Sequence, residues 1–597
     1  MKRLLRYIWR HRYWYALGVL FTFAFSFISS LLPLLTRDAA NAAHAGHPDR
    51  LVRIAILMVV VAILMAFARA LSRIITFNTG RDIEFELRDE LFTHLTKLAP
   101  DFYERLKTGD LMSRMINDLT AIRMMVGMGV LSFTGTPATY LFTFAFMLRL
   151  SPRLTLATIT PYLVLFIVIR RLTRAMMERN LKVQVGLGAM GAKVQESLSG
   201  IHLIKAYTLE DREADRFHQL NDEYNEQGLA LARIRGALMP LIRAAIAASM
   251  MILLSYGGVL IETHQIAIGD LVAFMGYLTM LAWPTVSIGW MLSIYQRAKA
   301  SMQRLEEIFA TVPSMTVEGP EERIETTGVI EWDHVSFDYF AHAGIAANGA
   351  AAANGAAHLN GAPIRAWALR DISVKVPPGG KLAIVGRTGS GKSTMVKLLA
   401  RLIEPTSGRV LLDGLDIREL PLTALRKTIG LVPQEPVLFS DTIARNIAFG
   451  RLDATANEIT AAANTAGLDG DLAVMARGFD TVVGERGMSL SGGQKQRVTI
   501  ARLLAYNPSV VVLDDALSSV DTETEKAVLY SLEESVKGRT TIVVAHRAST
   551  VRDADEIVVL DEGAIAERGT HEQLMARRGI YAELFRRQLL EEELAGY

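Results

Sequence analysis

The chain has 597 residues, enough for several domains, and 50% of them are apolar. Its 64 lysines and arginines nearly balance its 62 aspartates and glutamates, so its charge gives no reason to expect a nucleic-acid partner. The absence of cysteine excludes disulfide frameworks, thiol catalysis and thiolate metal sites.

Six segments in the first half of the chain are apolar and carry few charges. A helix of about 20 apolar residues crosses the hydrocarbon core of a bilayer, so these segments are predicted to span a membrane. They cover residues 13–35, 52–77, 124–148, 153–171, 243–262 and 270–295. Three of the apolar runs are shorter and rely on flanking arginine side chains that reach the headgroups. Helices buried in a soluble core are the alternative, which six such segments in one half of a chain disfavour.

Basic residues around the predicted spans indicate how the chain is oriented. Residues 2–12 are rich in lysine and arginine, which places the N-terminus in the cytoplasm. The basic start leads into an apolar run too long for a cleaved signal peptide. Six crossings return the chain to the cytoplasm, and the arginines of the predicted external loop 149–153 are outweighed by the other loops. We therefore expect a multi-pass protein of the cell (inner) membrane.

Two long charged segments, residues 78–123 and 170–243, connect predicted spans on the cytoplasmic side. Their composition favours helices, either as continuations of the spans or as a soluble insertion. A Thr-Gly-Asp break predicts a turn near Thr108–Met112. We predict an all-α transmembrane domain over residues 1–310, with long cytoplasmic helical extensions.

The composition changes after residue 310. Residues 311–327 contain proline, glycine and charges and are predicted to be a linker. Strand and helix patterns alternate from residue 328 to residue 597, which predicts an α/β domain. Residues 341–363 are rich in alanine, glycine and asparagine, and are predicted to be a solvent-exposed insertion whose two histidines form no metal site.

The sequence KLAIVGRTGSGKSTMVKLL matches the phosphate-binding pattern G-x-x-x-x-G-K-[ST] between an apolar strand and a helix. Backbone N–H groups of this P-loop would face a phosphate, Lys392 would reach the outer phosphates, and the Ser393 hydroxyl would bind Mg²⁺. The predicted nucleotide-binding residues are Gly386, Arg387, Thr388, Gly389, Ser390, Gly391, Lys392, Ser393 and Thr394.

Two aspartates follow the apolar run 510–513. A solvated strand end is a poor explanation for an acid after four apolar residues, whereas a strand-end carboxylate beside a P-loop commonly holds Mg²⁺. We therefore assign Asp514 to the metal. The segment LSGGQKQRVTIARLL, residues 490–504, places small residues at the start of an amphipathic helix and is a second candidate anion site.

The LSGGQ segment, the P-loop and VVVLDD together resemble an ATP-binding cassette (ABC) protein, and further segments match. Tyr339 stands where the family stacks an aromatic ring on adenine, Gln434 matches the Q-loop glutamine, and His546 matches the switch histidine. Thr481–Gly487 resembles the X-loop of exporters, and ALSSVD resembles the D-loop. Six predicted spans before one α/β P-loop domain are similar to the half-transporter layout of type IV ABC exporters.

The resemblance implies a dimer of half-transporters that holds two ATP molecules and Mg²⁺ between two nucleotide-binding domains. ATP binding would close these domains and turn the membrane cavity outward, and hydrolysis would reopen them. Gln434 would also contact Mg²⁺, and Gln434 and His546 would act in hydrolysis. Turns near 108–112 and 207–211 would be coupling helices. The residues that would contact the ATP on the partner's P-loop are Ser491, Gly492, Gly493 and Gln494.

Asp515 departs from the family pattern, which has glutamate as the base that orients the attacking water. Aspartate is shorter by one methylene, about 1.5 Å, and a misplacement of about 1 Å can cost about a hundredfold in rate. An aspartate here resembles one partner of heterodimeric exporters, whose site binds ATP better than it hydrolyses it. We therefore predict a heterodimer with a second half-transporter; a homodimer in which Asp515 is a working base is the alternative.

The apolar runs carry aromatic and methionine side chains that could line a cavity for hydrophobic small molecules or could face membrane lipid. Acidic residues occur in these segments only at the ends of two of them, at Glu262 and Asp270, and none lies in their interiors, which disfavours a dedicated binder of small cations. We expect export of drugs or lipids, with peptide export as a second hypothesis. An ATP-gated regulatory or channel protein on the same scaffold is the alternative of another class, and no added regulatory domain supports it.

Overall fold

The computed structural model describes most of the chain. The described residues are 1–106, 108–313, 315, 319, 322–339, 367–484, 487, 490–517, 522–545 and 548–595. The predicted insertion at 341–363 and the predicted switch histidine, His546, lie outside them. The chain forms two compact units, one of Met1–Thr96 with Thr108–Thr311 and the other of Lys97–Lys107 with Val312–Tyr597.

The first unit is built from helices. Six of its described helices are long and apolar enough to cross a membrane, which confirms the six apolar helices predicted from the sequence. The helices, in chain order, are α1 Lys2–Arg10, α2 Arg12–His44, α3 Pro48–Lys97, α4 Pro100–Arg105 (which belongs to the second unit), α5 Thr108–Leu150, α6 Pro152–Ser199, α7 Ile201–Ala206, α8 Glu210–Glu262 and α9 Ile268–Ala310.

The long helices continue well beyond their apolar parts. Helices α3 and α8 contain 50 and 53 residues, about 75 to 80 Å at 1.5 Å per residue, whereas the hydrocarbon core of a bilayer is about 30 Å thick. The charged segments 78–123 and 170–243 are therefore largely continuations of the apolar helices. Helix α5 also contains two π-helical turns, at Arg114–Asp118 and Met125–Gly129.

Of the two turns predicted near the ends of these extensions, one lies where it was expected and the other is displaced. Residues 207–209, where the sequence placed one turn, separate α7 from α8. The segment Thr108–Met112, predicted to be the other turn, is instead helical and begins α5. The turn lies just before this segment, around α4. The glycine of Thr-Gly-Asp is tolerated in the first turn of α5, where Asp110 lies beside the helix N-terminus.

Small and hydroxyl-bearing residues let the helices of the first unit approach closely. The hydroxyl oxygens of Thr22 in α2 and Ser72 in α3 lie 2.6 Å apart in the buried contact between these helices. A Cβ atom on Gly80 of α3 would lie 3.2 Å from the backbone of Gly127 in α5. The two helices therefore meet through their backbones at this point, as small residues permit between membrane helices.

The second unit combines strands and helices in the α/β arrangement predicted from the sequence. Its strands are β1 Ile330–Asp338, β2 Trp367–Val376, β3 Lys381–Gly386, β4 Ser407–Leu412, β5 Leu415–Asp416, β6 Ile429–Val432, β7 Val510–Asp514, β8 Thr540–Val544, β9 Glu556–Asp561 and β10 Ala564–Gly569. Its further helices are α10 Lys392–Leu399, α11 Leu422–Thr428, α12 Ile443–Ile447, α13 Ala456–Thr465, α14 Asp469–Val474, α15 Gly492–Tyr506, α16 Thr522–Val536, α17 Ala548–Val551, α18 His571–Arg577 and α19 Ile580–Ala595.

These strands form two sheets. The smaller one is antiparallel with the order β2-β1-β4-β5, and the larger one has the order β10-β9-β3-β8-β7-β6. Strands β9, β3, β8, β7 and β6 are parallel, and every residue of β7 and β8 is buried, as expected for a parallel sheet covered on both faces. The carboxyl ends of β3, β7 and β6 therefore lie at one edge of the sheet, where ligands of such folds bind.

Candidate functional site

The P-loop connects the end of β3 to the start of α10 and requires glycine at two positions. Gly386 has a φ of 152° and Gly391 a φ of 102°. A Cβ on Gly386 would lie 2.3 Å from the carbonyl oxygen of Leu560 in β9, and one on Gly391 would lie 2.3 Å from that of Ala368 in β2. No side chain fits at these distances, so the glycines allow the loop to lie against both strands.

Lys392 is buried in this loop, with 6% of its surface exposed. Its ammonium group donates to the carbonyl oxygens of Gly386 at 2.8 Å and Arg387 at 3.0 Å. Burial lowers the pKa of Lys392, and the charges of Asp514 and Asp515 partly oppose this effect. The loop thus holds a cation to which phosphate oxygens offer stronger hydrogen bonds than neutral carbonyls do.

The residues predicted to bind Mg²⁺ lie at the carboxyl edge of the large sheet. The Ser393 hydroxyl donates to the Asp514 carboxylate at 3.2 Å, which joins the start of α10 to the end of β7. Asp514 is buried, with 7% of its surface exposed. Gln434 follows β6 and is exposed. A hydroxyl and a carboxylate oxygen in contact are hard oxygen ligands of the kind that Mg²⁺ prefers, so these residues fit the metal.

The remaining predicted P-loop residues differ in exposure. Arg387, Thr388 and Gly389 are exposed, whereas Ser390 and Thr394 are buried. The Ser390 hydroxyl oxygen has no hydrogen-bond partner among the described residues. Because buried hydroxyl groups are nearly always hydrogen-bonded, the Ser390 hydroxyl is a candidate for a hydrogen bond to an oxygen atom of a bound ligand.

Tyr339 lies directly after β1 and contacts the P-loop helix. Its hydroxyl oxygen is 3.2 Å from that of Thr394 in α10. Its ring packs edge-to-face on Phe337, with ring centroids 4.7 Å apart, and remains 37% exposed. A partly exposed ring held beside a P-loop has the geometry needed to stack on a base.

Asp515 follows β7 with its backbone in the left-handed region, at a φ of 50°. Its N–H group donates to the carbonyl oxygen of Val544 at 2.8 Å. It borders a small cavity of about 20 Å³ that Glu525 and Thr550 also line, and the Thr550 hydroxyl donates to the Glu525 carboxylate at 3.3 Å. Glu525 has a carboxyl group that is 2% exposed, and it belongs to none of the sequence motifs described above.

The LSGGQ segment begins α15 and is fixed by a network of hydrogen bonds. The Ser491 N–H group donates to the side-chain oxygen of Gln494 at 2.9 Å, and the Gln494 N–H group donates to the Ser491 hydroxyl at 3.2 Å. The amide nitrogen of Gln494 donates to the Asp471 carboxylate at 2.9 Å, and Arg497 pairs with the same carboxylate at 2.8 Å. Asp471 therefore orients the Gln494 amide so that its oxygen faces Ser491.

Asp471 is a second residue at the site that no sequence motif indicates. It lies 23 residues before Gln494, in α14, outside every recognised motif. It lies in the first turn of α14, where the helix N-terminus explains an acid without any further role.

The P-loop and the LSGGQ segment belong to separate parts of the second unit. Helix α10 packs on β2, β3 and β7, whereas α15 packs on α12, α13 and β6. The structure thus brings Tyr339, the P-loop, Asp514 and Asp515 together, and it carries Ser491–Gln494 on a different helix.

Two protein-family models match the chain: "ABC transporter transmembrane region" over residues 15–285 and "ABC transporter" over residues 369–518. The probable multidrug resistance ABC transporter ATP-binding/permease protein YheI of Bacillus subtilis is 37% identical over 517 residues, or 86% of this chain and 84% of that protein. The ATP-dependent lipid A-core flippase of Methylococcus capsulatus is 32% identical over 98% of this chain and 94% of that protein.

The fold resembles that of a solved transporter. A structure of a bacterial Atm1-family ABC exporter with ATP bound matches 96% of this chain and 99% of that chain, with a TM-score of 0.77 and 28% sequence identity.

Proposed function

Because this chain belongs to the ABC transporter family, we propose that it exports hydrophobic or amphipathic compounds, drugs or lipids, by ATP-driven alternating access. The chain is an ABC exporter half-transporter, and its ATP-binding domain is an ATPase coupled to transport. The observation that carries the proposal is the contact of Ser393 with Asp514 beside the buried Lys392, in a chain with six apolar helices. Relatives named for multidrug resistance and lipid A-core flipping support drugs or lipids as the substrate class.

Different residues around the P-loop contact different parts of the ATP molecule. Backbone N–H groups of the loop and Lys392 hold the phosphate oxygens, and the Tyr339 ring stacks on the base. Ser393, Gln434 and Asp514 would hold Mg²⁺, which supplies positive charge against the phosphate oxygens. Binding would exchange the hydrogen bonds of the buried Lys392 ammonium to Gly386 and Arg387 for stronger ones to phosphate oxygens.

Asp515, Gln434 and His546 are the residues that we assign to hydrolysis. The water oxygen forms a bond to the γ-phosphorus while the bond from that phosphorus to the bridging oxygen of ADP breaks, and the proton of the water passes to a carboxylate. The Asp515 carboxylate is the base, Gln434 orients the water, and His546 contacts the γ-phosphate. The short side chain of Asp515 makes this site a weak hydrolase.

The partner is proposed to be a second half-transporter in a heterodimer. Ser491–Gln494 of this chain complete the partner's ATP site, and their hydrogen-bond network presents them as a fixed helix start. In this arrangement the partner's site supplies most of the hydrolysis. We place the protein in the cell (inner) membrane, with the N-terminus and the nucleotide-binding domain in the cytoplasm, because residues 2–12 are basic.

The proposal is tested by uptake of a hydrophobic dye into inverted membrane vesicles that contain the full chain with its partner. ATP should drive accumulation against a gradient, and Lys392→Ala should abolish photolabelling of this chain by azido-ATP and reduce transport. Lys397→Ala, on the same helix but outside the P-loop motif, is the matched control and should leave both nearly unchanged. Passive flux with ATP merely bound would indicate a channel, and uptake of peptides alone would indicate a peptide exporter.

A further inference from the structure

A cavity of about 420 Å³ lies within the first unit, between α5 and α9. Its walls are formed by residues 117–124 of α5 and residues 294–304 of α9. These segments are where the apolar parts of both helices give way to their charged extensions, since the predicted spans begin at residue 124 and end at residue 295. These predicted boundaries place the cavity where a bilayer would pass from hydrocarbon to headgroups.

The lining of the cavity changes from apolar to charged along the helix axes. Met124 and Ile294 line it at the span end, whereas Asn117 and Arg304 line it at the far end. Ten residues separate Ile294 from Arg304, about 15 Å along a helix. Arg297 lies between the two ends and is exposed. This change from apolar to charged lining complements an amphiphile whose chain points into the bilayer and whose headgroup points out of it.

The residues that line the cavity carry one net positive charge, which belongs to Arg297 between the two ends. Asp118 is 5% exposed, and its carboxylate accepts hydrogen bonds from the Ser301 hydroxyl at 2.9 Å and from Nε of Arg304 at 2.9 Å, with Nη2 of Arg304 as a further donor. The Asp118 charge is thus neutralised within the wall. Arg297 has no ion-pair partner among the described residues, so its guanidinium remains available to a ligand in the cavity.

We propose that this cavity binds an anionic amphiphile, with Arg297 contacting a single carboxylate or phosphate and the apolar end taking the chain. The inference rests on the proposed export function and names the substrate class of the transporter. A guanidinium recognises both anions by charge-assisted hydrogen bonds, so the headgroup of an anionic bilayer lipid and a free acid share this chemistry. A cationic amphiphile is disfavoured, because it would meet the Arg297 charge without a carboxylate to offset it.

The test measures binding of a dansyl-labelled fatty acid, and of its methyl ester, to the full transporter in nanodiscs of zwitterionic lipid. Arg297→Gln should weaken binding of the acid about tenfold, the loss expected for one charge-assisted hydrogen bond, and should leave binding of the ester unchanged. Arg73→Gln removes an exposed arginine of α3 outside the cavity and should leave both unchanged. Adding phosphatidylglycerol to the nanodiscs should displace the acid if bilayer lipid is the occupant, and should have no effect if only free acids enter.

Several outcomes would overturn the inference. They are unchanged binding of the acid in Arg297→Gln, an equal loss for the acid and the ester, or an equal loss in Arg73→Gln, which would show a general effect of surface charge. ATP-driven uptake of neutral dyes separates this inference from the export proposal. Intact dye uptake with no selective loss for the acid refutes the cavity assignment alone, whereas Arg297-dependent binding without any ATP-driven uptake refutes export alone.

Discussion

Asp515 combines a short carboxylate with a backbone conformation that few side chains tolerate. Its φ of 50° lies in the left-handed region, where aspartate and asparagine are several-fold enriched among residues other than glycine. Asparagine therefore suits this backbone while removing the charge. Glutamate adds reach but gives up part of the local compatibility. The two substitutions thus separate the role of the charge from the role of the length.

In the proposed heterodimer, Asp515→Asn should leave most ATP turnover in place, because the partner's site supplies it. Asp515→Glu should keep or raise turnover, since it restores about 1.5 Å of reach, and should lower the melting temperature slightly because of the left-handed backbone. Steady-state ATPase rates and thermal unfolding of the purified transporter measure both effects.

Ser491→Arg is the contrasting variant for this pair. It places bulk and charge at the start of α15, where the partner's ATP is expected, and should reduce turnover at least about tenfold. If Asp515→Asn is as inactive as Ser491→Arg, then Asp515 is a working base and the weak-site and heterodimer proposals are wrong.

The parts of the site that the sequence predicts are those that lie within a few residues of one another. The P-loop is a continuous pattern, so its glycines and Lys392 are identifiable from eight letters, and the structure explains two of those glycines by close backbone contacts. The Asp471 carboxylate meets Gln494 across 23 residues of chain, and Glu525 reaches the cavity beside Asp515 from the helix ten residues further on. No local pattern distinguishes them from ordinary charged residues on helices.

At the scale of elements, α14 supports the start of α15 through Asp471. Asp471→Asn should reduce the maximal ATPase rate about tenfold, because the Gln494 amide loses its fixed orientation and Arg497 loses its ion-pair partner. ATP binding to this chain's own P-loop should be unaffected, which distinguishes a positioning role from misfolding.

Asp469→Asn provides the matched control for this prediction. Asp469 begins the same helix and is exposed, with no hydrogen bond or ion pair of its side chain among the described residues. Its substitution should change neither the ATPase rate nor ATP binding. Equal activity of both variants would show that Asp471 does not position the LSGGQ segment.

The helices themselves were predictable only in part. Hydropathy locates the apolar parts because a bilayer imposes about 20 apolar residues on each crossing. The extensions carry mixed charges, so hydropathy does not show that α3 and α8 continue unbroken for 50 and 53 residues. The π-helical turns of α5, both of which contact α9, likewise were not predicted from the sequence.

At the scale of the whole molecule, replacing the segment 341–363 tests whether the stability and activity of the domain depend on the predicted insertion. Replacing it with a short glycine-serine linker should leave the melting temperature and the ATPase rate nearly unchanged, because loop closure costs only about 0.6 kcal/mol per doubling of length. A variant with the same residues in scrambled order is the control. A drop of many degrees in the linker variant alone would mean that the segment packs on something.

The contact of Gly80 with Gly127 bears on how the two helices that share it could move relative to each other. No side chain of Gly80 or Gly127 separates the two backbones there, so we expect α3 and α5 to move relative to each other by tilting about this contact. Helix α3 runs a further 17 residues from Gly80 to its end at Lys97, an arm of about 25 Å. A tilt of about 10° at the glycines would move the end of α3 at Lys97 by about 4 Å, while Gly80 and Gly127 themselves stay almost in place.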